Sequence, residues 1–221
     1  GGSKIHSQNG VADNIAEDEV DAFKQIRQFL DFFPQNIYEL PERKSSKDPI
    51  NREQEELLSI IPKERKKSYE MRDIISYVFD EGSFFEITKF FGRGIITGFA
   101  RINGYSVGIL ANDSNFYAGS MSADGAKKTA RFVRTCNTFN IPIVSLVDEP
   151  GFLIGPEAES QATILYGTEA VLAVTESTVP WSTVMIRKSF GVAAAAHYGP
   201  DGYVLAWPSA ESGPLPLEGG V

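Results

Sequence analysis

The sequence predicts an α/β fold with parallel strands joined by helical crossovers, and three features carry that prediction. From residue 95 on, strand-like and helix-like stretches follow in the order β-β-α-β-α-β-α-β, which builds a parallel sheet with helices packed on it. Two apolar runs flank Asn103-Gly104, the strongest short-range hairpin signal. Two further apolar runs, residues 143–147 and 183–187, each lead into a helix-like stretch through a glycine-bearing joint. The first joint carries Pro150-Gly151 and then Gly155-Pro156, with Pro156 suited to the first position of a helix. The second carries Gly191 ahead of an alanine run at residues 193–196.

Taken in order, residues 1–16 are rich in Gly, Ser, Asn and Asp and predict a loop or extended arm. Residues 18–33 predict an amphipathic helix. Val20, Phe23, Ile26, Leu30 and Phe33 recur at helical spacing, Asp18 suits the N-cap, and Pro34 stops the run. That stripe is expected to pack on the core. Residues 41–67 form a charged, Pro-punctuated connector whose Arg43, Lys44, Lys47, Lys63, Arg65, Lys66 and Lys67 make it locally basic. A solvated face is the favoured expectation, with a docking surface for a phosphate-bearing ligand or an acidic partner as the alternative. Residues 71–79 predict a helix and residues 83–87 the start of a strand. Residues 95–102 and 105–110 are the two arms of the hairpin. Residues 124–139 predict a helix whose Ala126, Ala130 and Val133 face inward. Residues 157–175 predict one long Ala-rich helix, and a short helix is expected after Gly191. Residues 203–207 predict a last strand. The closing stretch, residues 213–221, does not read as a natural end and suggests a piece of something longer.

Composition bounds the function. The 221 residues are 42% hydrophobic and 23% charged, ordinary for a globular chain with a sizeable core. A net charge of −8 argues against nucleic-acid binding, which needs a basic face. The single Cys136 rules out an intrachain disulfide and fits a reducing compartment. No apolar run approaches the ~18 residues of a membrane span, and a cytoplasmic location is expected. There is no Gly-x-Ser-x-Gly elbow, no phosphate loop, no His-Glu-x-x-His and no metal-ligand cluster. The two histidines, His6 and His197, are expected to be structural or solvated, and Cys136 to sit in the core. Asp148 and Glu149 stand at the mouth of the central strand, where α/β ligand sites form. They could be an acid/base pair. The favoured expectation is that Asp148 caps the turn and Glu149 is solvated. The two glycine joints could serve tight turns only. They could also aim free backbone N–H groups at an oxyanion, which requires no particular side chain and wants glycine where a ligand approaches the backbone.

At these same residues the sequence resembles the C-terminal half of the carboxyltransferase family of biotin-dependent acyl-CoA carboxylases. The matching stretches are Asp80-Glu-Gly-Ser-Phe-Phe-Glu86, Ile96-Thr-Gly-Phe-Ala-Arg101, Lys128-Thr-Ala-Arg-Phe-Val-Arg134, Phe139-Asn-Ile-Pro142, Val147-Asp-Glu-Pro-Gly-Phe-Leu153 and Arg187-Lys-Ser-Phe-Gly191. The resemblance implies a crotonase-like spiral of β-β-α units. It divides the chain into a junction from a missing N-terminal half (1–17), a helical lead-in (18–79) and a crotonase-like core truncated at its end (80–221). It implies transfer of a carboxyl group from carboxybiotin to the α-carbon of an acyl-CoA such as acetyl- or propionyl-CoA, with no metal. This chain would then be the biotin-side half-site and inactive alone. The implied oxyanion donors are the backbone N–H groups of Val192 and Ala193 after Gly191. The implied biotin contacts are Gly151, Phe152, Leu153, Gly155 and Ala195. The implied partners are a biotin carboxyl carrier protein, a biotin carboxylase subunit, the N-terminal carboxyltransferase half, and further copies of the chain in a dimer or hexamer. Two departures stand out. The family often has a second Gly where this chain has Val192, and some members have an acyl-selecting Asp where it has Ala195. A biotin-dependent decarboxylase, or a non-catalytic assembly subunit of the same fold, is the alternative; a crotonase-type hydratase would want two converging glutamates, with only Glu149, Glu157 and Glu159 at hand.

Overall fold

The computed structural model describes residues 2–215. Among the described residues seven strands form one sheet: β1 (Phe85–Ile87), β2 (Ile95–Ile102), β3 (Tyr105–Asn112), β4 (Ile143–Glu149), β5 (Trp181–Phe190), β6 (Tyr203–Ala206) and β7 (Glu211–Gly213). They lie in the order β1-β2-β3-β4-β5-β6, and β7 pairs with the far end of β5. The pairs β1–β2 and β2–β3 are antiparallel, and every later pair is parallel. The helices are α1 (Ser3–Gln8), α2 (Glu19–Leu30), α3 (Met71–Val78), α4 (Ala123–Thr138), α5 (Pro156–Ser160) and α6 (Thr163–Thr175). Three short 3-10 helices complete the set: η1 (Glu55–Leu58), η2 (Tyr117–Gly119) and η3 (Val192–His197).

The β2–β3 hairpin turns at Asn103 (φ 50°) and Gly104 (φ 80°), the left-handed pair that a two-residue turn demands. Asp80 reaches into this turn and accepts the Asn103 N–H on one carboxylate oxygen and the Gly104 N–H on the other, each at 2.8 Å. Strand alternation then sorts the core onto two faces. Ile95, Phe99, Leu110 and Ile143 point to one face with Ala126, Ala130 and Val133 of α4, Ala170 and Val174 of α6, and Ala193 of η3. Ile96, Ala100, Ile109 and Leu146 point to the other with Met71, Ile74 and Ile75 of α3 and Tyr69. Both faces are covered, so the central strands carry apolar side chains on both sides. Lys128 of α4 is buried and donates to the carbonyls of Thr88, Phe91 and Ile95 at 2.9, 3.1 and 2.6 Å. Burial pushes its pKa down to about 7, while three carbonyl acceptors match the three N–H groups of an ammonium.

The structure corrects several expectations. Residues 1–16 hold the short helix α1 rather than loop alone. The single helix expected over residues 157–175 is two, broken at Ala162, which takes a left-handed conformation (φ 58°) without a glycine to announce it. Strand β5 runs on to Phe190, and β7 was not anticipated. The stripe on α2 faces outward: Val20, Phe23, Ile26 and Leu30 are 53–76% exposed. Of the predicted stripe only Phe33 docks, joined by Phe29 and Phe32, with ring centroids 5.0–5.7 Å from Phe99. The docking residues lie at the C-terminal end of the helix and in the turn after it, so the rest of the stripe stands clear of the sheet. Of the closing stretch 213–221, residues 216–221 lie outside the described residues.

Candidate active site

β4 and β5 are parallel neighbours, so both glycine joints open at the same edge of the sheet, where ligands bind in α/β folds. Near that edge Val147 pairs with Met185 but Glu149 pairs with Ser189. Four steps on β5 thus oppose two on β4, a bulge of the kind that re-aims side chains beside active sites. The extra residues put Arg187 and Lys188 against Asp148. Arg187 Nε and one terminal nitrogen lie 2.9–3.2 Å from the carboxylate, and the Lys188 N–H donates to it at 3.1 Å. Arg187 also donates to the Lys67 carbonyl at 2.8 Å and covers the ring of Tyr69.

Beyond the bulge, Gly191 takes a left-handed conformation (φ 64°) and donates its N–H to the Gly213 carbonyl at 3.1 Å. This turn sets Val192 and Ala193 at the head of η3, where a helix leaves its first N–H groups without internal acceptors. The Val192 side chain is exposed, Ala193 is buried, and Ala195 is exposed one turn on. On the other joint Gly151 (φ 130°) and Gly155 (φ 107°) both have open space where a side chain would stand. Of the three residues between them, Phe152 and Leu153 are tied down and Ile154 is exposed. Phe152 bridges to Met121, and the Leu153 N–H donates to the Met121 carbonyl at 2.9 Å. The Phe152 ring is partly buried in the core and lies against Gly167. Gly151, Gly155, Gly191, Val192 and Ala195 therefore offer accessible edges, while Phe152 and Leu153 hold the loop by packing and main-chain pairing.

Residues 1–221 match the family described as "Carboxyl transferase domain". The chain belongs to the carboxyl transferase domain family. It is 41% identical over its whole length to the carboxyltransferase subunit of propionyl-CoA carboxylase from Haloferax mediterranei, covering 44% of that protein. It is 40% identical to the human mitochondrial propionyl-CoA carboxylase beta chain, covering 42% of it. It is also 40% identical, over 96% of its length, to methylmalonyl-CoA decarboxylase subunit alpha of Veillonella parvula, again covering 42%. Among solved structures it superposes on the hexameric transcarboxylase 12S, bound to methylmalonyl-coenzyme A, with a TM-score of 0.93 at 37% identity, covering 97% of this chain and 43% of that one. The chain thus spans less than half the length of the relatives it matches, and its fold is that of the crotonase-like carboxyltransferases.

Within this carboxyl transferase domain, local sequence reasoning missed the burial behind the site. Asp148 and Glu149 are both fully buried, so neither caps a surface turn nor meets solvent. His197 is structural, as expected, and fully buried beside Glu149. A signal existed: the two-residue period of β4, carried on from Ser145, sends Glu149 toward the face that η3 covers. The basic connector also returns to the site. Lys63, Arg65 and Lys66 rim a cavity of ≈ 490 Å³ with Arg187, Lys188 and Phe190. Arg65 is spoken for by Glu211 at 2.7 Å. Burial pulls the Lys188 pKa down, with Asp148 opposing that shift.

Proposed function

We propose that this domain supplies the biotin-side half of an acyl-CoA carboxyltransferase. Biotin, carried by a partner protein, would supply the carboxyl group from its ureido nitrogen to the α-carbon of an acyl-CoA, the α-proton passing to that ureido in exchange. The observation that carries this function is the meeting of two glycine-opened backbone edges at one end of β4 and β5, in a chain of this family. The residues present fit a flat ring: Gly151 and Gly155 leave open space at the backbone, which any side chain would take. Across from them, the N–H groups of Val192 and Ala193 would hold negative charge on an oxygen as it develops. Pre-aimed dipoles need no reorganisation at the moment of reaction. Ala195, one turn further along η3, would border the same space. The cationic rim of the neighbouring cavity suits an anionic substrate such as a coenzyme A thioester. Gly151, Gly155, Val192, Ala193 and Ala195 carry no side-chain nucleophile, in keeping with a reaction in which these joints position and stabilise rather than attack.

The remaining machinery would come from partners: a biotin carboxyl carrier protein, a biotin carboxylase subunit, the other carboxyltransferase half and further copies of the chain. The same half-site serves a decarboxylase running the transfer in reverse, which the 40% identity to the Veillonella protein favours as a second reading. Identifying the subunits that co-purify with the full-length protein separates the two: a biotin carboxylase subunit marks the carboxylase, a membrane pump the decarboxylase.

The donor assignment has its own test. Val192→Ala keeps the N–H and is expected to leave turnover within a small factor of wild type. Val192→Pro removes the N–H at a position where proline is tolerated, and turnover is expected to fall about 10²–10³-fold. A folded Val192→Pro enzyme, checked by circular dichroism, that works as well as Val192→Ala would remove Val192 from the reaction and favour an assembly role.

A further inference from the structure

Behind the exposed joints, two buried side chains face one another. Glu149 closes β4 and is fully buried. One of its carboxylate oxygens accepts the N–H groups of Gly151 and Met121 at 2.9 and 3.3 Å; the other accepts the Asn112 amide at 3.0 Å. His197 closes η3 and is equally buried. Its Nδ1 lies 2.8 Å from Ser145 Oγ, and its carbonyl accepts Trp181 Nε1 and Thr183 Oγ1 at 2.9 and 2.7 Å. Its Nε2 has no hydrogen-bond partner among the described residues and lies 3.7 Å from the second Glu149 oxygen. Glu149 thus grips the first joint, His197 anchors the second, and the unpartnered Nε2 faces the carboxylate across 3.7 Å of low-dielectric interior. Neither can reach a substrate.

We propose that Glu149 and His197 act as a buried positioning pair that makes the Gly151 joint and η3 one rigid frame, setting the aim of the Val192 and Ala193 N–H groups. The proposal deepens the carboxyltransferase function given above and rests on it. The pair also bears on pH dependence. Burial raises the Glu149 pKa, with His197, the Gly151 N–H and Asn112 pulling the other way. Asp148 with Arg187 and the half-buried Lys188 are the other charged groups around it. Three N–H donors address the ionised form of Glu149. Protonation turns a donor against them, so turnover falls as pH drops through a carboxyl limb higher than an ordinary glutamate gives.

The test uses the full-length enzyme as wild type, Glu149→Gln, His197→Gln and the double variant. Ile75→Val, on the opposite core face, serves as the stability control. Each single change is expected to lower kcat about 10–100-fold, the scale of a small misalignment, with KM for acyl-CoA little changed. The double is expected to be no worse than the poorer single, because the pair acts as a unit, and Glu149→Gln loses the acid limb. Ile75→Val lowers Tm and keeps kcat. Hydrogen exchange provides a readout that needs no activity. Each single variant is expected to speed exchange at both joints, at the hydrogen-bonded Gly151 and Leu153 N–H groups of the first and at the Gly191 and Tyr198 N–H groups that flank η3 in the second. Losses of kcat that multiply in the double, or exchange that quickens only at the joint the changed residue itself touches, would overturn the pairing. Failure of wild type to transfer a carboxyl group counts against the parent function alone, since the exchange result still judges the pair.

Discussion

Asp148 and Glu149 are adjacent and equally buried, yet their partners differ. Asp148 meets a guanidinium through three contacts at 2.9–3.2 Å and also accepts a backbone N–H from Lys188. Glu149 meets only neutral donors and an imidazole. The first is an ion pair whose geometry repays its burial. Removing the charge of Asp148 strands Arg187 inside the protein, and breaking a buried pair of this kind costs about 3–5 kcal/mol. Asp148→Asn is therefore expected to lower the unfolding free energy by that amount in denaturant titrations, and a loss below ~1 kcal/mol, typical of an exposed pair, would mean that Arg187 is held by Lys67 and Tyr69 alone. Sequence alone placed this doublet at a surface turn, because acidic residues before Pro-Gly usually mark one. Burial was settled by groups far along the chain, Tyr69 and His197 among them, which no local window contains.

Elements with strong local signals matched their expected places. The Asp18 side chain accepts the Asp21 N–H at 2.8 Å and opens α2, and the hairpin, α4 and β4 all stand where periodicity put them. The break between α5 and α6 was illegible because Ala162 carries no turn signature, and propensity favours helix through it. Helix α2 shows the other limit: an amphipathic stripe tells that a face will be covered but not by what. Val20, Phe23, Ile26 and Leu30 remain open and continue into a groove with Phe85 and Ile87. A contiguous apolar face of this kind marks an interaction surface. We expect the full-length protein to be an oligomer that uses this face. Light scattering should give a mass above the monomer for wild type and a smaller one for Phe23→Asp with Ile26→Asp. A monodisperse monomer for wild type would refute that.

At the scale of the whole molecule, one sheet with both faces packed delivers β4 and β5 to a common edge. Sequence order carried the sheet's sense, since strands separated by helices must run parallel. It carried the backbone joints as well, because glycine at a strand end is a local mark. What it could not carry was the depth behind the edge. The chain covers about 42–44% of its carboxylase relatives, and under the proposed function the remaining walls of the active site would come from partners. The grip of Asp80 on the β2–β3 turn has a consequence for the ageing of the protein. An Asn-Gly step is chemically the most perishable in a polypeptide, since the glycine nitrogen attacks the asparagine side chain to form a succinimide. Here that N–H donates a hydrogen bond to Asp80 at 2.8 Å, and the negative charge of the carboxylate opposes the deprotonation that attack requires. Asp80 thus preserves the turn as well as shaping it. Peptide mass spectrometry after prolonged warm storage should find Asn103 intact in wild type and deamidated in Asp80→Ala; equal deamidation in both would show that the grip gives no protection.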